Sequence, residues 1–173
     1  MGVVLVWLDL GMRHFHGIDD LQAVVGERLG TSAWHEVPQS TIVRFAEATE
    51  DFEGIHLDPA KARAAGLPDT IAHGLYTLSR GPAMLYEIYS ITGPVLWLNY
   101  GFEKVRFLSP VGVGSRIRMV ADLVAAEPIT GGVRFTVRET FEIDGQGKPA
   151  CVADGLIAYF HTLPPGFTPP QEG

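Results

Sequence analysis

Cysteine is almost missing from this chain: Cys151 stands alone among 173 residues. A single thiol forms no internal disulfide and no thiolate zinc site. Its setting, Lys-Pro-Ala-Cys-Val-Ala, reads as a buried strand position. Positive charge is also scarce, with 13 Lys and Arg against 20 Asp and Glu and a net charge of −7. That balance argues against DNA or RNA as a partner, because binding by counterion release needs a basic surplus. It argues equally against docking on an anionic membrane. Long apolar runs are lacking too. The strongest, Val3 to Leu8, is cut by Asp9 and falls far short of the roughly 18 residues a membrane helix needs. No basic region precedes it and no small-residue cleavage site follows, so a secretory signal is a poor reading and a cytoplasmic protein is expected. Phosphate-cradling glycine motifs are missing, Gly112-Val113-Gly114 being too short to count. His14-Phe15-His16 offers two ligands for a metal with no third evident. No metal and no cofactor are expected.

What is present suits one folded domain. Hydrophobic residues make up 46% and charged residues 19% of the chain, and a chain of this length buries roughly 70% of its unfolded surface. Residues 1–17 match nothing downstream and stay unassigned, an extra strand being one option. Asp19 to Gly26 reads as a short capped helix, and Trp34 to Val37 as a short strand. Ser40 is the expected cap of a helix ending near Glu50, with Ile42, Val43, Phe45, Ala46 and Ala48 on its apolar side. Residues 51–72 read as loop with a short helix near Pro59–Ala65, capped by Asp58. A longer helix is expected from His73 or Gly74, its stripe running through Leu75, Leu78, Leu85, Tyr89 and Ile91, kinked or split at Gly81-Pro82.

After Gly93-Pro94 the period changes to two. Val95 to Phe107 makes one extended segment or two, bent near Tyr100-Gly101. Ile117, Met119, Ala121 and Leu123 alternate with polar neighbours, as do Val133, Phe135, Val137, Phe141 and Ile143. Asp144-Gly145-Gln146-Gly147 is a hairpin turn. Ala150 to His161 is apolar on both faces, which suits an interior strand. Residues 163–173, with four prolines, read as a loose tail. The fold class is therefore α+β, an antiparallel sheet wrapped around a long central helix. A unit of two layers leaves apolar surface over, so a homodimer is expected.

Chemistry concentrates between Ala48 and Gly74. Asp51 and His56 stand five residues apart across a glycine-containing turn, where a carboxylate and an imidazole can share one water, take its proton and return it. Gly74, at a helix start, could present its N–H to a carbonyl oxygen gaining negative charge. Each residue taken singly also suits a plainer role. Asp51 could cap a helix end, His56 could be a satisfied half-buried histidine, and His73 could be a structural first-turn residue.

Taken together, Phe45-Ala46 through Pro59, followed by Ile71-Ala72-His73-Gly74-Leu75-Tyr76-Thr77-Leu78-Ser79, resemble the signature of the MaoC-like dehydratases, the hot-dog-fold (R)-specific enoyl-CoA hydratases, and more closely their NodN-like branch. Gly26 to Trp34, Asn99 to Val111 and Lys148 to Ala153 resemble further blocks of that family, so the likeness spans about residues 18–162. It implies hydration of trans-2-enoyl thioesters. Asp51 and His56 match the family's acid/base pair, and Gly74 matches the N–H that receives the thioester carbonyl. His73 and Asn99 are the accompanying substrate-binding candidates, and Arg80, Lys104 and Arg106 are candidates for the phosphates of CoA. The substrate would arrive on CoA or on an acyl carrier protein. Glu53 and Gly54 depart from the family pattern. A second carboxylate near Asp51 could raise the pKa of one of the two, and it keeps open a non-catalytic acyl-CoA binder. Thioester hydrolysis is the other alternative.

Overall fold

The computed structural model describes residues 11–167, and within them a curved antiparallel sheet is laid against two short helices. The chain runs β1 (Arg13–His16), α1 (Ile18–Gln22), β2 (Arg28–Thr31), β3 (His35–Glu36), α2 (Gln39–Thr49), α3 (Gly54–Leu57) and α4 (Pro59–Ala64). It continues through α5 (Gly74–Ser79), α6 (Gly81–Ile88), β4 (Tyr89–Thr92), β5 (Leu96–Phe107), β6 (Arg116–Ile129), β7 (Gly132–Ile143) and β8 (Cys151–Phe160). Strand order in the main sheet is β2-β6-β7-β8-β5, with β3 also paired to β6. The pairings are antiparallel throughout this sheet. β8 thus lies inside the sheet, as its two apolar faces require. No helix among the described residues is long and apolar enough to cross a membrane.

Several local expectations need correction. Ser40 is not the cap of α2. Pro38 is, in extended geometry and without a side-chain hydrogen bond, its carbonyl accepting from Thr41 and Ile42 N–H. The 51–72 loop holds an extra helix, α3, because the Glu53 carboxylate accepts the Gly54 N–H at 2.8 Å and caps it. The central helix is split at Gly81-Pro82 as expected, into α5 and α6, with Arg80 between them and Pro82 in the first turn of the second, where its missing N–H costs nothing. Tyr89 and Ile91 leave the helical stripe for β4, which pairs in parallel with β1, Arg13 opposite Tyr89 and Phe15 opposite Ile91. Residues 13–16 are therefore a strand; what was expected of residues 1–10 and 168–173 lies outside the described span. β5 is one continuous strand, bent by register shifts at Asn99/Gly101 and Glu103/Arg106.

Alternation sets the core. Ile117, Met119, Leu123, Phe135, Val137 and Phe141 project from β6 and β7 into one apolar cluster with Met84, Leu85 and Ile88 of α6. Burying a large apolar side chain contributes about 1.5–3 kcal/mol, so this layer anchors α6 against the sheet. One position of the inward row is different. Glu139 occupies it on β7 and is 2% exposed, and its cross-strand neighbours are the small residues Ala121 and Ala153.

Candidate functional site

Asp51, His56 and His73 converge although they come from three segments. Asp51 follows α2, whose last turn ends in Glu50 at φ 59, a left-handed cap that reverses the chain. His56 rides on α3 and is 8% exposed; His73 is the N-cap residue of α5 and is 3% exposed. One polar atom from each lies within 4.8 Å of the other two. The two imidazoles stack with centroids 3.8 Å apart and planes 27° off parallel.

Hydrogen bonds assign the ring protons. His56 Nδ1–H donates to the Ile71 carbonyl at 2.7 Å, so its Nε2 is left as an acceptor in the neutral ring. His73 Nε2–H donates to the Asp51 backbone carbonyl at 3.0 Å, and its Nε2 lies 3.9 Å from Asp51 Oδ2. His73 Nδ1 is buried without a partner. The Asp51 side chain is half exposed, and its Oδ1 accepts the Glu53 N–H at 3.3 Å. The three donor atoms are close enough for a metal ion. His73 Nε2, however, is already committed to a carbonyl, which leaves Asp51 and His56 as the groups able to share a proton.

A pocket of about 250 Å³ opens beside His56, lined by Gly74, Thr77, Phe107, Pro110 and Ala150 among others. Glycine at position 74 keeps this wall open, since a Cβ there would sit 3.0 Å from the Phe107 ring. At Gly54 a Cβ would lie 2.2 Å from the Lys61 side chain, so a larger residue there would require that flexible side chain to move. Glu53 spends its carboxylate as the α3 cap.

The remaining candidates lie elsewhere. Arg80, Lys104 and Arg106 are not among the residues lining this pocket. Arg80 Nε is buried without a partner, Lys104 Nζ lies 3.6 Å from Asp154, and Arg106 Nη1 donates to the Val105 carbonyl at 2.8 Å. Asn99 lines a second, larger cavity of about 530 Å³, between α6, β4 and the inner side of β5 and β8. That cavity also reaches Tyr86, Tyr89, Trp97, Glu139 and Tyr159. The Tyr89 and Tyr159 hydroxyls bond to each other at 2.8 Å, and burial pushes Tyr159 up to about 12. Burial likewise pushes the Glu139 carboxyl up to about 7. Glu139 is not among the residues the sequence singles out. The available signal was a charged residue in the inward phase of β7, between Val137 and Phe141.

Comparison with known proteins follows the same lines. The family model described as "MaoC like domain" matches residues 20–142. The chain belongs to the MaoC-like family. Within it, 3-hydroxyacyl-thioester dehydratase Z of Mycobacterium tuberculosis is 44% identical over 149 residues, covering 86% of this chain and 99% of that protein. Nodulation protein N of Rhizobium meliloti is 36% identical over 152 residues, covering 86% of this chain and 94% of the relative. Among solved structures, the (R)-hydratase from A. caviae involved in PHA biosynthesis superposes with a TM-score of 0.64 at 22% identity, covering 77% of this chain and 94% of its own. That last likeness is one of fold. The architecture is the hot-dog arrangement of the MaoC-like proteins, an antiparallel sheet around a central helix that is here split into α5 and α6.

Proposed function

We propose that this MaoC-like chain is a hydro-lyase acting on acyl thioesters, adding water to trans-2-enoyl thioesters to give (R)-3-hydroxyacyl thioesters and catalysing the reverse dehydration. The observation that carries the reading is the convergence of Asp51 with a His56 whose Nδ1–H is tied to Ile71 and whose Nε2 is free to accept. Asp51 and His56 hold one water between them. As its oxygen bonds to C3, the pair takes one of its protons. The electrons of the C2=C3 bond move toward the thioester carbonyl, whose oxygen gains charge beside the Gly74 N–H. The held proton is then delivered to C2 on the same face, which balances the addition. His73 acts as a positioning residue, holding the Asp51 backbone and backing the His56 ring.

The relatives support the substrate class, since 3-hydroxyacyl-thioester dehydratase Z is named for that chemistry. CoA or an acyl carrier protein would present the acyl group. A homodimer completes the assembly in this proposal. β5 ends the sheet with no strand on its far side among the described residues, and Trp97, Tyr100 and Phe107 stand exposed along it.

The test is loss of enoyl-thioester absorbance with crotonyl-CoA. Asp51→Asn and His56→Ala should each lower kcat/KM by about 10²–10⁴-fold while circular dichroism stays native. Near-normal turnover by either variant would remove that residue from the mechanism. Release of free CoA thiol from saturated acyl-CoA in the same preparation would show hydrolysis instead.

A further inference from the structure

The larger cavity holds a group that a plain hydrocarbon pocket has no use for. Most of its wall is aromatic or aliphatic: Leu85, Tyr86, Tyr89, Trp97, Ile157 and Tyr159. Glu139 stands in that wall, with an Oε2 that has no hydrogen-bond partner and with no cation paired to it among the described residues. A buried carboxyl left this way is costly, and such groups persist where a ligand or function uses them.

The surroundings are shaped to keep it. A Cβ at Gly81, the head of α6, would lie 2.7 Å from Glu139 Oε2, and a Cβ at Gly155 on β8 would lie 2.6 Å from Oε1. The cross-strand neighbours are Ala121 and Ala153. Four small residues from two strands and a helix thus leave room for one carboxyl. Size and lining also match small-molecule sites, which run about 300–1,000 Å³ and combine apolar walls with a few placed polar groups.

The cavity lies on the elements that form the proposed reaction site. Gly74 and Thr77 of α5 line the smaller pocket, and Pro82 and Leu85 of α6 line the larger. Ala150, just before β8, lines the first, while Gly155, Ile157 and Tyr159 of β8 line the second. Gly74 and Pro82 are eight residues apart across the break at Arg80, at most about 12 Å of helical rise. An acyl group anchored by its thioester at Gly74 and lying along this helix would bring its far end to Glu139.

We infer that the larger cavity receives the far end of the acyl group and that Glu139 selects acyl groups carrying a hydroxyl there. This rests on the acyl-thioester reading above. A hydroxyl serves the site because it donates to a carboxylate and accepts from a carboxylic acid. A bare alkyl end displaces water from the carboxyl and returns no hydrogen bond. Glu139 is thus a specificity residue, remote from the reacting carbons.

The test uses saturated acyl-CoAs of graded length, with and without a terminal hydroxyl, binding to the full chain by calorimetry, so that turnover plays no part. Beyond a threshold length the wild type should bind the hydroxylated member about tenfold tighter, a difference of about 1.4 kcal/mol. Glu139→Leu, close in volume, should abolish or invert the preference, and Glu139→Gln should keep part of it. Equal binding of the two series by the wild type overturns the inference without any variant, as does a preference that survives in Glu139→Leu. Crotonyl-CoA, too short to reach Glu139, separates the two readings. Turnover of it with no hydroxyl preference overturns this inference alone. A hydroxyl preference with no turnover supports the cavity assignment and sinks the hydratase reading.

Discussion

Two imidazoles 3.8 Å apart carry opposite proton assignments, and the difference is written in their backbone partners. Ile71 takes the Nδ1–H of His56, and Asp51 takes the Nε2–H of His73. Glu139 tests the same logic away from the dyad. Burial raises its carboxyl from the ordinary 4.5 to about 7. Between those values the unfolded chain has lost its proton while the native chain keeps it. The unfolded state therefore binds fewer protons, and stability falls as pH rises through the interval, by about 3 kcal/mol in all. Denaturant unfolding of wild type and Glu139→Gln should show the wild type losing ground from about pH 4.5 to about pH 7 and no further change above. A constant difference between the two would mean that Glu139 titrates normally. Cys151 gives a second residue-level prediction. Burial pushes its thiol up to about 11, so it should resist a thiol reagent at neutral pH until the protein unfolds. Rapid native labelling would contradict its placement inside β8.

At the scale of elements, capping explains where the chain turns toward the site. Asp58 accepts the Ala60 N–H at 2.8 Å and the Lys61 N–H at 3.4 Å, with Pro59 at the start of α4. Asp58→Ala should cost about 1 kcal/mol and lower Tm by about 2–4 °C, as read by thermal unfolding, with kcat/KM on crotonyl-CoA nearly unchanged. A large loss of activity would instead tie α4 to the reaction. This cap was legible in the sequence because Asp-Pro acts on its own next few residues. The α3 cap is not legible in this way. The Glu53 carboxylate bonds to the adjacent Gly54 N–H, a local geometry with no distinctive spacing. The central helix ends earlier than its period predicts, because Tyr89 and Ile91 keep a helical spacing but find a strand partner in residues 13–16. A distant pairing outweighed a local period.

At the scale of the whole molecule, the edge of β5 is an apolar surface left over among the described residues. Trp97, Tyr100 and Phe107 are exposed on a 12-residue strand that ends the sheet among the described residues, and an apolar edge of this kind invites a second copy. Sedimentation equilibrium should give twice the chain mass, and Tyr100→Lys together with Trp97→Lys should shift it toward the monomer. A wild-type monomer at micromolar concentration would remove the dimer from the proposal.

The parts of this protein visible in one dimension are those governed by short-range physics. Strand alternation from Arg116 to Phe160, the Asp58-Pro59 cap, and the grouping of Asp51, His56 and His73-Gly74 within some twenty residues all arise from neighbours along the chain. The Glu139 cradle has no such neighbours. Gly81, Ala121, Ala153 and Gly155 meet it only after β6, β7 and β8 pair and α6 packs on them. Hydrogen-bond caps and side-chain periods act over a few residues, whereas a cavity is the space that packing between distant segments leaves open.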